Sequence, residues 1–115
     1  MGKNKNKHLV YIIDFGLGKF YKDLESGEHH KIKYGKGLIG TARYASINSF
    51  LGIELSRRDD LESLAYSLIY LANGSLPWML LPAKSKQEKH EKILQMKQNF
   101  TKKDLTIDIP SKIFL

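Results

Sequence analysis

An aspartate at the end of an apolar run is the first residue in the chain with chemical potential. Residues 9–13 are continuously apolar, rich in β-branched and aromatic types and bounded by polar residues, which predicts a short buried strand. Asp14, Phe15 and Gly16 follow it directly. A carboxylate that leaves a buried strand into a glycine-containing turn is a frequent active-site arrangement. Such an aspartate can equally do no more than cap the turn.

The residues after this aspartate predict a long loop followed by a helix. Residues 17–37 are charged and interrupted by glycines, which predicts a long loop with one short strand at residues 31–34. From Leu61 to Ala72 apolar residues recur largely at spacings of three and four, which predicts a helix. Ser56 is its expected N-cap and Asn73-Gly74 its expected end. Because the helix is apolar on nearly all sides, it is expected to be a buried central rod.

A second helix is predicted at residues 84–99, with a narrow apolar stripe and many Lys, Glu and Gln residues, as in a surface helix. The last three residues, 113–115, are apolar and need a partner surface.

Composition limits the classes of partner and site. The 115 residues fit one domain or part of one, with 19 basic and 12 acidic residues and a net charge of +7. This excess favours anionic partners, although a solvated basic surface accounts for it equally well. The absence of cysteine excludes disulfides and thiolate metal sites and suits a cytoplasmic or nuclear protein. No apolar run reaches the roughly 18 residues of a transmembrane helix.

Three further strings follow Asp-Phe-Gly in a specific order. Residues 40–46 read Gly-Thr-Ala-Arg-Tyr-Ala-Ser, residues 56–64 read Ser-Arg-Arg-Asp-Asp-Leu-Glu-Ser-Leu, and residues 74–78 read Gly-Ser-Leu-Pro-Trp. In order, spacing and identity, residues 9–98 closely resemble the casein kinase I family of Ser/Thr protein kinases. Ser46-Ile47-Asn48, where most kinases have Ala-Pro-Glu, is a mark of that family. The resemblance implies a mainly α fold, part of the C-lobe of a protein kinase, with short strands around Asp-Phe-Gly.

The resemblance also implies roles at Asp-Phe-Gly. Asp14 would bind the Mg²⁺ that bridges the phosphates of ATP, because a hard dication prefers carboxylate oxygen. Phe15 would pack under a helix of the N-lobe, and Gly16 would permit the backbone turn. Residues 17–46 would form the activation segment.

Other implied roles lie downstream. Thr41 would contact the catalytic loop through its hydroxyl, and Asp60 would be a buried aspartate that braces that loop by accepting backbone N–H bonds. Arg43 and Lys89 would bind the acidic or phosphorylated residues of protein substrates, since the planar guanidinium fork matches phosphate oxygens. A solvated helix lysine is the plainer interpretation of Lys89, and an ordinary turn threonine that of Thr41.

The family places its glycine-rich phosphate loop, strand lysine and His-Arg-Asp loop before Asp-Phe-Gly, and these are expected to be absent from this chain. The chain alone is therefore expected not to catalyse phosphoryl transfer. The expected organisation is a polar basic start at residues 1–8, a partial kinase domain at residues 9–100 and a divergent tail at residues 101–115. A helix suited to burial would then be partly exposed at Leu61, Leu64, Leu68 and Ile69, favouring association or a molten state.

Two alternatives remain beside a kinase domain fragment. One is a non-catalytic C-lobe module that binds acidic or phosphorylated proteins, or another kinase lobe. The other is a nucleic-acid binder, which charge alone suggests and no recognition motif supports.

Overall fold

The computed structural model describes residues 1–101, and this part of the chain is mainly helical. Its α-helices are α1 (Ile47–Phe50), α2 (Arg57–Asn73) and α3 (Lys86–Asn99), preceded by a 3₁₀ turn at Asn4–Asn6. Residues 1–101 contain no strand longer than an isolated antiparallel bridge between Lys22 and His29. The predicted tail, with its apolar end at residues 113–115, lies outside the described residues apart from its first position.

The chain divides into two compact units, and the first is Met1–His30. No residue of this unit is buried. It contains a turn in which the Asp23 carboxylate accepts hydrogen bonds from the backbone N–H groups of Ser26 (2.7 Å) and Glu25 (3.0 Å). These bonds, with that from the Ser26 hydroxyl, lower the pKa of Asp23.

The predicted strand at residues 9–13 is wrong. Val10 and Ile12 are 80% and 81% exposed, and no ladder of backbone hydrogen bonds forms along this segment in the described chain. An apolar run becomes a strand only when another strand pairs with it, and its own sequence cannot supply that partner. The short strand predicted at residues 31–34 is also absent. Two backbone bonds, from Glu54 N–H to Lys33 (2.8 Å) and from Lys36 N–H to Gly52 (3.0 Å), hold that segment instead.

The second unit begins at Lys31 and contains the helices. Helix α2 begins and ends where the sequence predicts. The carboxylate of Asp59, the third residue of the helix, accepts a hydrogen bond from the N–H of Ser56 at 2.8 Å, as in a capping box. Gly74 ends the helix in the left-handed region (φ 73°), and its N–H donates to the carbonyl of Tyr70.

The prediction of a helix buried on all sides is wrong. Within α2 the buried residues are Asp59 and Tyr66, seven apart on one face. Leu61, Leu64 and Leu68 are 68%, 53% and 56% exposed, which confirms the exposure expected for them. Only one face of α2 packs against other residues of the described chain. Its other apolar side chains are therefore left exposed.

The core of the second unit is small and aromatic. It consists of Tyr66, Leu76, Trp78 and Ile93, with partly buried side chains such as Phe50 and Phe100 against it. Trp78 is 1% exposed and meets the rings of Tyr66 and Phe100 edge-on, with centroids 4.9 and 5.9 Å away. The core therefore joins α2 and α3 to the segments that connect them.

Helix α3 confirms the second predicted helix, with Ser85 as its N-cap accepting from Glu88 N–H at 3.1 Å. It is not purely a surface helix, because Ile93 and Lys97 are buried. Across residues 1–101, none of the helices has the length and apolar character needed to cross a lipid bilayer.

Candidate functional site

A tight turn at residues 41–45 carries two of the predicted site residues. The N–H groups of Tyr44 and Ala45 both donate to the carbonyl of Thr41, at 2.9 and 3.0 Å. Gly40 enters the turn with φ +86°, a backbone conformation that a side chain would strain. Thr41 and Arg43 are both exposed, so the turn presents their side chains to solvent.

The Arg43 side chain lies on a platform of two tyrosines. Its guanidinium carbon is 5.7 Å from the ring centroid of Tyr44 and 5.5 Å from that of Tyr70, and the two rings meet edge-on. Hydrogen bonding with Tyr44 is the largest cause of the raised pKa of Arg43, and desolvation opposes it. Arginine is a permanent cation at neutral pH, so the rings act by restricting its position.

The backbone of the turn is hydrogen-bonded to Lys97 of α3, a residue that the sequence analysis missed. Its ammonium group donates to the carbonyl oxygens of Ala42 (3.3 Å), Arg43 (3.4 Å) and, at the shortest distance, Ala45. Only 4% of Lys97 is exposed. Lysine is polar in any hydrophobic periodicity, and the carbonyl acceptors of Lys97 lie more than 50 residues earlier. No local sequence pattern therefore identifies Lys97 as buried.

Three aromatic rings surround the Lys97 ammonium. Its nitrogen is 4.4 Å from the ring centroid of Tyr66, 4.8 Å from that of Trp78 and 5.1 Å from that of Phe50. Burial lowers the pKa of Lys97 to about 8, against the attraction of the Glu62 carboxylate, which raises it. Lys97 is therefore a costly buried cation, compensated by carbonyl dipoles and ring faces.

Lys89 lies on the same helix as Lys97 and is exposed. Their separation of eight positions corresponds to about 12 Å along a helix. The helix that carries Lys89 thus binds the Arg43 turn through Lys97, so both cations belong to the second unit. This places the two predicted anion-binding residues on connected elements.

The segment that begins α1 is bonded to the start of α2 by the buried carboxylate of Asp59 and the partly buried carboxylate of Glu62. Asp59 accepts hydrogen bonds from the Ser46 hydroxyl (2.8 Å) and from the Asn48 amide (2.9 Å). The backbone N–H of Ile47 donates to Glu62 at 2.9 Å. Burial alone would raise the pKa of Asp59, but the bonds from Ser56, Asn48 and Ser46 outweigh it and lower that pKa.

The burial expected for Asp60 is wrong in this chain, because Asp60 is exposed and its neighbour Asp59 is the buried aspartate. The resemblance assigns Asp60 to the backbone donors of a catalytic loop whose His-Arg-Asp sequence does not occur in the 115 residues. The Ser-x-x-Asp spacing from Ser56 to Asp59 is a capping-box signal and could have identified Asp59 from the sequence.

Asp14 lies in the first unit and is not fixed as a metal ligand. It has φ +63° and is exposed, and its carboxylate meets one backbone donor, the N–H of Gly16, at 3.4 Å. Phe15 is 72% exposed. Residues 1–101 bring together no three His, Asp or Glu side chains that could hold a metal ion. In the described chain the Asp14 carboxylate has no supporting strand, and its role as a Mg²⁺ ligand stays a prediction.

One glycine spacing departs from expectation. Gly35, Gly37 and Gly40 match Gly-x-Gly-x-x-Gly, although the phosphate loop was expected to be absent. In phosphate-binding loops this spacing follows a strand and opens a helix. Here no strand precedes it, and α1 begins only at Ile47. The Ile39 N–H within it already donates to the Ser49 hydroxyl at 2.9 Å. This segment is therefore a connection docked on α1.

The Arg43 turn, which is hydrogen-bonded to Lys97, is the best-positioned cluster of chemically capable residues in the described part of the chain. The Asp14 carboxylate has no such support. A scan of the chain against models of known protein families found no match. Any family assignment therefore depends on the motifs and on this geometry.

Proposed function

We propose that this chain is a casein kinase I-like Ser/Thr protein kinase domain fragment, in which the Arg43 turn recognises acidic or phosphorylated protein substrates. In the parent fold, Mg²⁺ and ATP would supply the γ-phosphate that is transferred to Ser or Thr. The observation that carries the proposal is the exposed guanidinium of Arg43, held over Tyr44 and Tyr70 on a turn that is anchored from behind.

This geometry suits binding of a phosphate or carboxylate. A guanidinium fork donates two parallel hydrogen bonds to such a group, and its two ring contacts reduce the side-chain entropy lost on binding. Lys89 would add a second, more mobile cation from α3. The net charge of +7 would increase the association rate with acidic peptides, and this contribution would fall with salt.

Catalysis by this chain alone is not part of the proposal. Phosphoryl transfer depends on positioning and on electrostatic stabilisation of the phosphates, and loss of a general base alone costs roughly 10²–10⁴ in rate. The sequence contains no His-Arg-Asp, and residues 1–101 bring together no group of three side chains that could hold a metal ion. We expect no phosphate transfer from Mg-ATP to a primed peptide, and turnover abolished by Asp14→Ala would contradict this.

A second candidate function is a non-catalytic C-lobe module that binds acidic proteins or another kinase lobe. The exposed leucine face of α2 favours it, because Leu61, Leu64, Leu68 and Leu71 are all more than half exposed and lie at heptad-like spacings. In this case Arg43 and Lys89 would bind phosphorylated partners without any transfer step.

Peptide binding tests the recognition that both candidates share. Fluorescence anisotropy should give tighter binding of a phosphoserine peptide than of its unphosphorylated form, with an affinity that falls with salt. Arg43→Gln should weaken binding about tenfold or more, and Lys89→Gln about two- to fivefold, as expected for charge-assisted hydrogen bonds. Lys86→Gln, which removes an exposed charge from the same helix, is the matched control. Equal affinities for Arg43→Gln and Lys86→Gln would refute the proposed site.

A further inference from the structure

Lys97 forms all its described hydrogen bonds with the backbone of its own chain. Its three bonds go to carbonyls at residues 42, 43 and 45, on either side of the Arg43 side chain and at Arg43 itself. A lysine ammonium has three donors and no acceptor, so three converging carbonyls match its donor capacity. The turn at residues 41–45 has to keep its present conformation for all three carbonyls to face one point.

Arg43 is held at both its backbone and its side chain. Its carbonyl accepts from Lys97 and also from the indole N–H of Trp78, at 2.8 Å. Its guanidinium lies over Tyr44 and Tyr70. The aromatic core therefore reaches the turn through one indole and one ammonium, and both meet at the carbonyl of Arg43.

A buried cation is an expensive way to attach a helix to a turn. Apolar packing between α3 and the core already exists through Ile93, and burial of a charge opposes folding unless that charge is well compensated. Packing of α3 against the core does not require a lysine. The three convergent carbonyls therefore indicate that Lys97 positions the turn at residues 41–45.

We propose that Lys97 is a positioning residue for anion recognition, which fixes the turn that presents Arg43 and links it to the helix that carries Lys89. This inference rests on the proposed function of Arg43. Lys97 itself does not touch the bound phosphate or carboxylate, because its ammonium is enclosed by Phe50, Tyr66 and Trp78.

The test combines phosphopeptide affinity with the indole N–H resonance of Trp78, the single tryptophan. In the 115-residue chain, Lys97→Met should weaken phosphoserine-peptide binding five- to tenfold and should shift and expose the indole resonance to solvent exchange. Lys97→Arg, which keeps the charge but has a planar fork too wide for three convergent carbonyls, should not restore the affinity. Lys86→Met, on the exposed side of α3, should leave both readouts unchanged.

The outcomes separate this inference from the proposed function. Lys97→Met binding as tightly as Lys86→Met, or full affinity in Lys97→Arg, would overturn the positioning role. If the unmodified chain bound no phosphopeptide, the proposed function would fail. An unchanged Trp78 indole and Arg43 amide in Lys97→Met would then overturn the positioning role separately.

If the Lys97 variants lost their helical circular dichroism, the unmodified protein would still decide the question. Its NMR spectrum should contain one lysine ammonium signal protected from exchange, and that signal should shift when the phosphopeptide binds. The absence of the protected signal, or its indifference to the peptide, would overturn the inference.

Discussion

The first unit and the second unit both carry motif residues, but only the second positions them. Asp14 and Phe15 in the first unit are exposed, and no residue of that unit is buried. Arg43 in the second unit is bonded from behind by Lys97 and Trp78 and flanked by two rings. The difference lies in the scaffold, because the resemblance drawn from the sequence singles out residues in both units.

This contrast shows that a motif and a site are separate properties. Asp-Phe-Gly identifies a resemblance without organising any chemistry in the described chain, whereas the Arg43 turn is both a motif and an organised surface. Binding depends on preorganisation, so recognition should concentrate in the second unit.

The largest expected contrast between the units is in stability. Trp78→Ala removes a side chain that is 1% exposed and should lower the free energy of unfolding by about 3–5 kcal/mol. Phe15→Ala removes a ring that is 72% exposed and should change it by less than about 0.5 kcal/mol. Urea unfolding followed by circular dichroism measures both. Similar losses would show that the first unit has a core contact that the structure lacks.

A smaller contrast lies within α2, between neighbouring aspartates. Asp59→Asn leaves the donors of Ser46 and Ser56 poorly matched and should cost about 1–3 kcal/mol. Asp60→Asn changes an exposed residue and should cost less than about 0.5 kcal/mol. The same unfolding assay compares them, and the reverse order would restore the buried role that the resemblance gives Asp60.

The pH dependence of stability tests Lys97. Its folded pKa of about 8 lies below the ordinary value of 10.5, so between these values the unfolded chain binds more protons and stability rises with pH. From pH 8 to pH 10 the gain should be on the order of 2 kcal/mol in the unmodified chain and absent in Lys97→Met. Burial and the Glu62 hydrogen bond raise the pKa of Tyr66, which lowers stability above pH 10, so the measurement stops there.

Equal slopes in the two proteins over this interval would mean that the Lys97 ammonium is not desolvated. The position of Lys97 behind the Arg43 turn would then need revision. A slope of the opposite sign would indicate an ammonium with a raised pKa, bound to a carboxylate rather than to carbonyls.

Local features of the fold were predictable from the sequence. Helix α2 follows from the spacing of its leucines, with Ser56 and Gly74 as its boundaries, because these signals act within a few residues. Arg43 and Lys89 were identified only through the resemblance, and the structure places both in the second unit. The family roles themselves remain predictions.

Features that need distant partners were not predictable. The apolar run at residues 9–13 has strand composition, but pairing depends on another segment of chain. Lys97 looks like any helix lysine, since its carbonyl partners lie more than 50 residues away. The leucines of α2 predicted burial on nearly all sides of the helix. Which face is buried depends instead on the neighbours that are present.

Mapping the bound phosphopeptide tests the central claim most directly. The ¹⁵N-labelled chain would be titrated with a phosphoserine peptide and with its unphosphorylated control, and the backbone shifts compared between the two units. We expect saturable changes centred on Arg43 and reaching Lys89, absent with the control peptide and lost in Arg43→Gln. Changes centred on residues 1–30, or equal changes with both peptides, would contradict the account.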